Sequence, residues 1–120
     1  MIDSHAHLYL EQFDEDREPV IRRAREAGVR SIINIGIDVE TSASAIDMAR
    51  GREGFFASAG IHPQSPVEDL EGALAGIREL IAANPEQTVA VGEIGLDYYW
   101  DTVTPEKQIE VLDRQLDLAL

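Results

Sequence analysis

The stretch Val29-Arg30-Ser31-Ile32-Ile33-Asn34-Ile35-Gly36-Ile37 is nearly continuous in isoleucine from residue 32 onward. A strand with one wet face alternates apolar and polar residues. Four of the six residues from 32 to 37 are isoleucine, two of them adjacent, so the run suits a strand of a parallel sheet that is covered on both faces. Parallel strands need long crossovers, usually helical. The flanks supply them. Upstream, Glu15 to Ala27 places Val20, Ile21, Ala24 and Ala27 at helical spacing, and Gly28 is a suitable helix stop. Downstream, Asp38 or Thr41 can cap a helix over about Ser42 to Arg50, and Gly51 and Gly54 break the chain after it.

The same unit recurs along the chain. A first apolar run spans Ile2 to His7. A third spans Phe55 to Ile61 and closes on His62-Pro63. A helix follows it with Leu70, Leu74, Ile77 and Ile81 on one face, stopped at Asn84-Pro85. A fourth run spans Thr88 to Leu96. Thr104 then caps a last helix with Pro105 in its first turn and Ile109, Leu112, Leu116 and Leu120 on one face. Strand and helix alternate with short loops, which implies a parallel sheet with right-handed crossovers. No glycine-rich phosphate loop follows the first strand, which counts against a nucleotide-binding doubly wound sheet. Four βα units make half of a (β/α)8 barrel. We therefore read residues 1–120 as the N-terminal half of a single TIM-barrel domain. The last helix has no stop signal and ends apolar at Leu116 to Leu120, so the expectation is a fragment. If it is complete, the first and fourth strands are open edges that invite self-association.

Composition narrows the function. Asp plus Glu number 23 against 10 Lys plus Arg, a net charge of −13, and Lys107 is the only lysine. A basic nucleic-acid footprint is absent, so a polyanionic substrate must be held by metal ions or a local arginine cluster. The acid excess leads us to expect a salt-rich cytosol. There is no cysteine, hence no disulfide framework and no thiolate metal site. Neither a signal peptide nor a membrane span is visible, and a cytoplasmic protein that does not engage membranes is the default expectation.

The chemistry-bearing residues fall at strand ends, where barrel enzymes keep their sites. His5 and His7 are two apart, which on extended chain points both imidazoles to one side. In a helix the same spacing would separate them by about 200°. The pair suits a divalent transition metal. Glu93 lies within Val89-Ala90-Val91-Gly92-Glu93-Ile94, where an unpaired carboxylate is costly to bury, so either an arginine or a metal must pair with it. His62 can hydrogen-bond a substrate oxygen or merely satisfy a turn. Asp97, Tyr98, Tyr99 and Trp100 can bind substrate, with the aromatics stacking on bases, or can simply pack the loop. Arg22-Arg23-Arg25 reads as a solvated helix face.

Asp3-Ser4-His5-Ala6-His7-Leu8, Gly60-Ile61-His62-Pro63 and Gly92-Glu93-Ile94-Gly95-Leu96-Asp97-Tyr98 occur in that order. Together they closely resemble the TatD family of metal-dependent deoxyribonucleases, within the amidohydrolase-like barrels. The resemblance covers essentially the whole chain. It implies a (β/α)8 barrel with a centre of two divalent ions (Mg, Mn or Zn). His5 and His7 match the family's first-strand ligands, and Glu93 matches its fourth-strand, catalytic ligand. His62 matches a motif position near the site. The family also uses two later histidines and a late aspartate, and this sequence holds none of those segments. The implied activity is cleavage of DNA, single-stranded or at ends, in a 3'-5' exonuclease-like manner. Two alternatives stand beside it. One is an esterase or deacylase, such as a D-aminoacyl-tRNA deacylase. The other is an inactive half-barrel that self-associates.

Overall fold

The computed structural model describes all residues, Met1 to Leu120. Four strands form one parallel sheet in sequential order: β1 (Ile2–Ala6), β2 (Ser31–Ile35), β3 (Phe55–Ala59) and β4 (Thr88–Val91). Each strand is followed by a helix: α1 (Arg17–Glu26), α2 (Val39–Ala49), α3 (Leu70–Ala83) and α4 (Pro105–Ala119), with one 3-10 turn at Glu11–Phe13. A doubly wound sheet reverses its strand order and carries helices on both faces. Here the order never reverses. The chain is the N-terminal half of a (β/α)8 barrel, as the alternating units led us to expect.

Helices cover one face of the sheet; on the other face of the central strands Ile35 and Ser58 are still buried, and Ile33 and Phe56 are only half-buried, so the expected two-sided cover of β2 is partial. Ile32, Phe55, Ala57 and Ala59 are buried against the helices. They belong to two clusters, one with Leu8, Ile21 and Ala49, the other with Ala45, Ile46, Leu74 and Ile77. The register pairs Ile32 with Phe55 and Asn34 with Ala57 across the β2–β3 ladder, so these residues share that face. On the edge strands Ile2 and Val89 remain exposed.

Local signals place most boundaries. Gly28 stands just past α1 with φ +91°, the left-handed conformation that a helix stop of this kind uses. Helix α2 starts three residues earlier than Thr41 capping would give, because Asp38 is the cap. Its carboxylate accepts from Thr41 N at 2.8 Å, and the Thr41 hydroxyl accepts from Asp38 N at 3.0 Å. Thr104 caps α4 as expected.

Three expectations are corrected. The fourth strand stops at Val91, not Leu96, so Gly92 and everything after it belongs to the strand exit. The buried face of α4 is Gln108, Val111 and Gln115. Ile109, Leu116 and Leu120 are exposed, because Gln108 and Gln115 turn inward to bond the backbone of the loop before α4 and of the β3 exit. Arg25 is not merely solvated: it donates to the Arg30 and Glu53 carbonyls and lies over the Phe55 ring at 5.5 Å.

Candidate metal centre

The site is built from the exits of β1, β3 and β4. The β1 exit is tied down from three directions. Leu8 N donates to the buried Asn34 side chain at 2.9 Å. Arg17 donates to the carbonyls of Leu8 (2.6 Å), Tyr9 (3.3 Å) and Leu10 (3.0 Å), gathering the loop around one guanidinium. The Tyr9 hydroxyl donates to Ile35 O at 2.8 Å. A bulge between Asp3 and Ala6 shifts the β1–β2 register, yet the two imidazoles still converge, with ring centroids 5.2 Å apart.

Glu93 is fixed by its backbone. Gly92 N donates to Ala59 O (3.0 Å), Ser58 Oγ donates to Gly92 O (2.8 Å), and Glu93 N reaches Gly36 O at 2.9 Å. The carboxylate is thereby set between two histidines. Oε2 lies 3.4 Å from His5 Nε2, and Oε1 lies 3.7 Å from His62 Nε2. No arginine pairs with it. Within these 120 residues, then, the arginine partner that the sequence left open is not found.

His5, His7 and Glu93 each offer one ligand atom, and these atoms all lie within 4.8 Å of one another. A tetrahedral cation with bonds of about 2.1 Å needs ligand atoms roughly 3.4 Å apart. The His5–Glu93 separation already has that value, and small side-chain rotations would close the rest. Two imidazoles and a carboxylate are a suitable donor set for Zn or Mn.

His62 has a different character. Its Nδ1 accepts from Gln64 N at 3.1 Å. The neutral ring therefore carries its proton on Nε2, which faces Glu93 Oε1, and it is set up to donate rather than to ligate. Burial raises the Tyr9 phenol above its ordinary pKa; the Thr41 hydroxyl opposes this, and the Asp38 and Glu93 carboxylates add to it.

Asp97 and Tyr98 lie outside the donor cluster. The Asp97 carboxylate accepts from Tyr99 N at 2.9 Å and so folds its own loop. The loop is clamped by two glutamines that sequence reading passed over. Gln64 Nε2 donates to Asp97 O and Trp100 O, and its Oε1 accepts from Val103 N. Gln108 accepts from Asp97 N and donates to Asp97 O and Val103 O. Tyr98, Tyr99 and Trp100 stay exposed on this clamped loop, and Tyr98 and Trp100 border a groove of about 270 Å³. Gln64 lies two residues after His62, a hint that a strand-exit polar residue has work to do. Arg17 and Asn34 carried no comparable signal.

Known proteins resemble this chain over nearly its whole length. The family model for TatD-related DNases matches residues 2–120. An uncharacterized metal-dependent hydrolase, YabD of Bacillus subtilis, is 41% identical over 119 residues, covering 99% of this chain and 46% of its own length. The 3'-5' ssDNA/RNA exonuclease TatD of Musicola paradisiaca is 38% identical over 120 residues, covering 99% of this chain and 45% of its own. The crystal structure of the TatD homolog YjjV from Escherichia coli superposes with a TM-score of 0.87 at 34% identity, covering 99% of this chain and 46% of that one. The chain belongs to the TatD-related DNase family. It spans about half the length of the curated relatives it matches.

Proposed function

We propose that this half-barrel carries the first part of a metal-dependent phosphodiesterase site acting on single-stranded DNA, with 3'-5' exonuclease action. The observation that carries the reading is the convergence of His5, His7 and Glu93 within 4.8 Å at the ends of two strands, β1 and β4. In it, His5, His7 and Glu93 hold the cation. His62 donates from Nε2 to a phosphate oxygen. When bound, a divalent cation would polarise a water and neutralise phosphate charge. That neutralisation matters here, because a chain of net charge −13 otherwise repels a polyanion. A second ion would need donors beyond these residues. Asp97 stiffens the neighbouring loop, and Tyr98 offers a ring on which a base can stack. Relatives named as single-strand exonucleases support the choice of substrate.

The net charge of −13 also favours a second reading, an esterase acting on a less charged substrate. The test is to follow hydrolysis of a single-stranded oligonucleotide and of an acyl ester by one preparation of the complete protein with Mg or Mn. The nuclease reading expects oligonucleotide cleavage that disappears on chelation and in Glu93→Ala. Ester cleavage alone would overturn it, and full nuclease turnover in Glu93→Ala would remove Glu93 from the site.

A further inference from the structure

We infer that Tyr9 is the positioning residue for His7: its hydroxyl holds the imidazole with the proton on Nδ1 and leaves Nε2 free to meet a cation. The inference rests on the metal-centre reading above. Two contacts fix it. Tyr9 Oη donates to Ile35 O at 2.8 Å. His7 Nδ1 lies 3.1 Å from the same Oη. A phenol has a single proton, and a backbone carbonyl can only accept. The proton of Tyr9 is therefore committed to Ile35, and Oη can only accept from His7. It follows that His7 Nδ1 carries hydrogen. The rings meet edge to face with centroids 5.9 Å apart, which also limits rotation of the imidazole.

The contrast with the other histidines sharpens the point. His62 receives a backbone N–H at Nδ1, so its proton is on Nε2. Within one site the backbone sets one imidazole as a donor, and a tyrosine sets another as a ligand. His5 has only Glu93, 3.4 Å from its Nε2. Metal-binding histidines are commonly oriented by a hydrogen bond from the second ring nitrogen to a carboxylate, carbonyl or water. Here a tyrosine passes that bond on to a carbonyl of the neighbouring strand, so His7 is braced by β2 through a single side chain.

The experiment uses the metal-free chain with 15N-labelled histidine, observed by long-range 1H–15N correlation at about pH 8, where unperturbed imidazoles are neutral. The expected spectrum shows His7 protonated at Nδ1 and His62 protonated at Nε2. Tyr9→Phe keeps the ring contact and removes only the hydroxyl. It should move His7 toward the Nε2-protonated form, leave His62 unchanged, and weaken Mn or Zn binding about 10- to 100-fold by calorimetry. Finding His7 protonated at Nε2 in the wild-type chain would overturn the inference, whether or not the variant folds. So would a variant that loses affinity while His7 keeps its tautomer. The tautomer is read without metal or substrate. A protein that shows the Nδ1 proton but cleaves no DNA therefore loses the proposed function and keeps this inference.

Discussion

Glu93 shows how little room the site leaves at a single residue. Its position depends on Gly92, and Gly92 lies against Gly60. A Cβ added to Gly60 would stand 2.8 Å from the Gly92 carbonyl carbon and 2.9 Å from its oxygen, and both neighbours are backbone that cannot swing aside. Gly60→Ala is therefore expected to push the β3 and β4 exits apart. The stability cost should be about 1–3 kcal/mol, the usual range for overpacking, measured by urea unfolding. Glu93 should shift with it, so calorimetry should show weaker Mn binding in the same variant. His5, His7 and Glu93 were legible in the sequence because a charged or imidazole side chain at the end of an apolar run needs a reason. Tyr9, Asn34 and Arg17 were not. Tyr9 and Asn34 act through partners 26 residues away, and Arg17 acts on backbone carbonyls whose identity the sequence does not mark.

Helix α4 holds the site from outside by polar bonds rather than by an apolar stripe. Gln115 Oε1 accepts from Ile61 N at 2.7 Å and its Nε2 donates to Ile61 O at 3.0 Å, so one amide satisfies both backbone groups of the residue before His62. These groups are buried, and leaving each unpaired costs about 1–3 kcal/mol. Gln115→Ala should lower unfolding free energy by about 2–6 kcal/mol on that basis, read from denaturant midpoints, and should loosen His62. The apolar spacing of Ile109, Leu112, Leu116 and Leu120 gave a clear helix but the wrong inner face. Periodicity registers hydrophobicity, and it is blind to an amide pairing 54 residues away. A second tie, between α3 and α4, is sensitive to pH. The hydrogen bond from Arg114 holds the Glu71 carboxyl below its ordinary pKa of 4.5. A carboxylate with a depressed folded pKa stabilises above the unfolded value and loses that contribution as pH falls through the folded one. The contribution of this pair should therefore be lost as pH falls below about 4.5, and the stability gap between the wild type and Arg114→Ala should narrow there when unfolding is followed across the acid range.

For the whole molecule the fold was readable and the balance of its forces is testable. Four apolar runs, each followed by a helical period, implied a parallel sheet, and polar residues at the run ends implied a barrel rim. Both follow from alternation that any local window contains. The length of β4 was misjudged because Ile94 and Leu96 continue the apolar pattern after the ladder bonds to β3 have ended at Ala59–Val91. Electrostatics and bare surface now pull in different directions. The exposed ion pairs, such as Arg52–Glu18 and Lys107–Glu110, each contribute about 0–1 kcal/mol and weaken in salt. Against them stands the mutual repulsion of 23 acidic groups facing 10 basic ones. With the Debye length shrinking from about 10 Å at 0.1 M to 3 Å at 1 M, the repulsion loses more than the pairs do. Thermal unfolding should therefore move to higher temperature as NaCl rises, and an unchanged midpoint would show that the excess charge is already well dispersed. The same screening lets copies approach. Within these 120 residues β1 and β4 have no neighbour on their outer sides, and Ile2 and Val89 are exposed, which is the geometry that recruits another strand. Sedimentation velocity should show the 120-residue chain self-associating more at molar salt than at low salt. Ile2→Lys with Val89→Lys should return it to monomer without lowering its unfolding midpoint, because neither side chain is part of the helix-covered core.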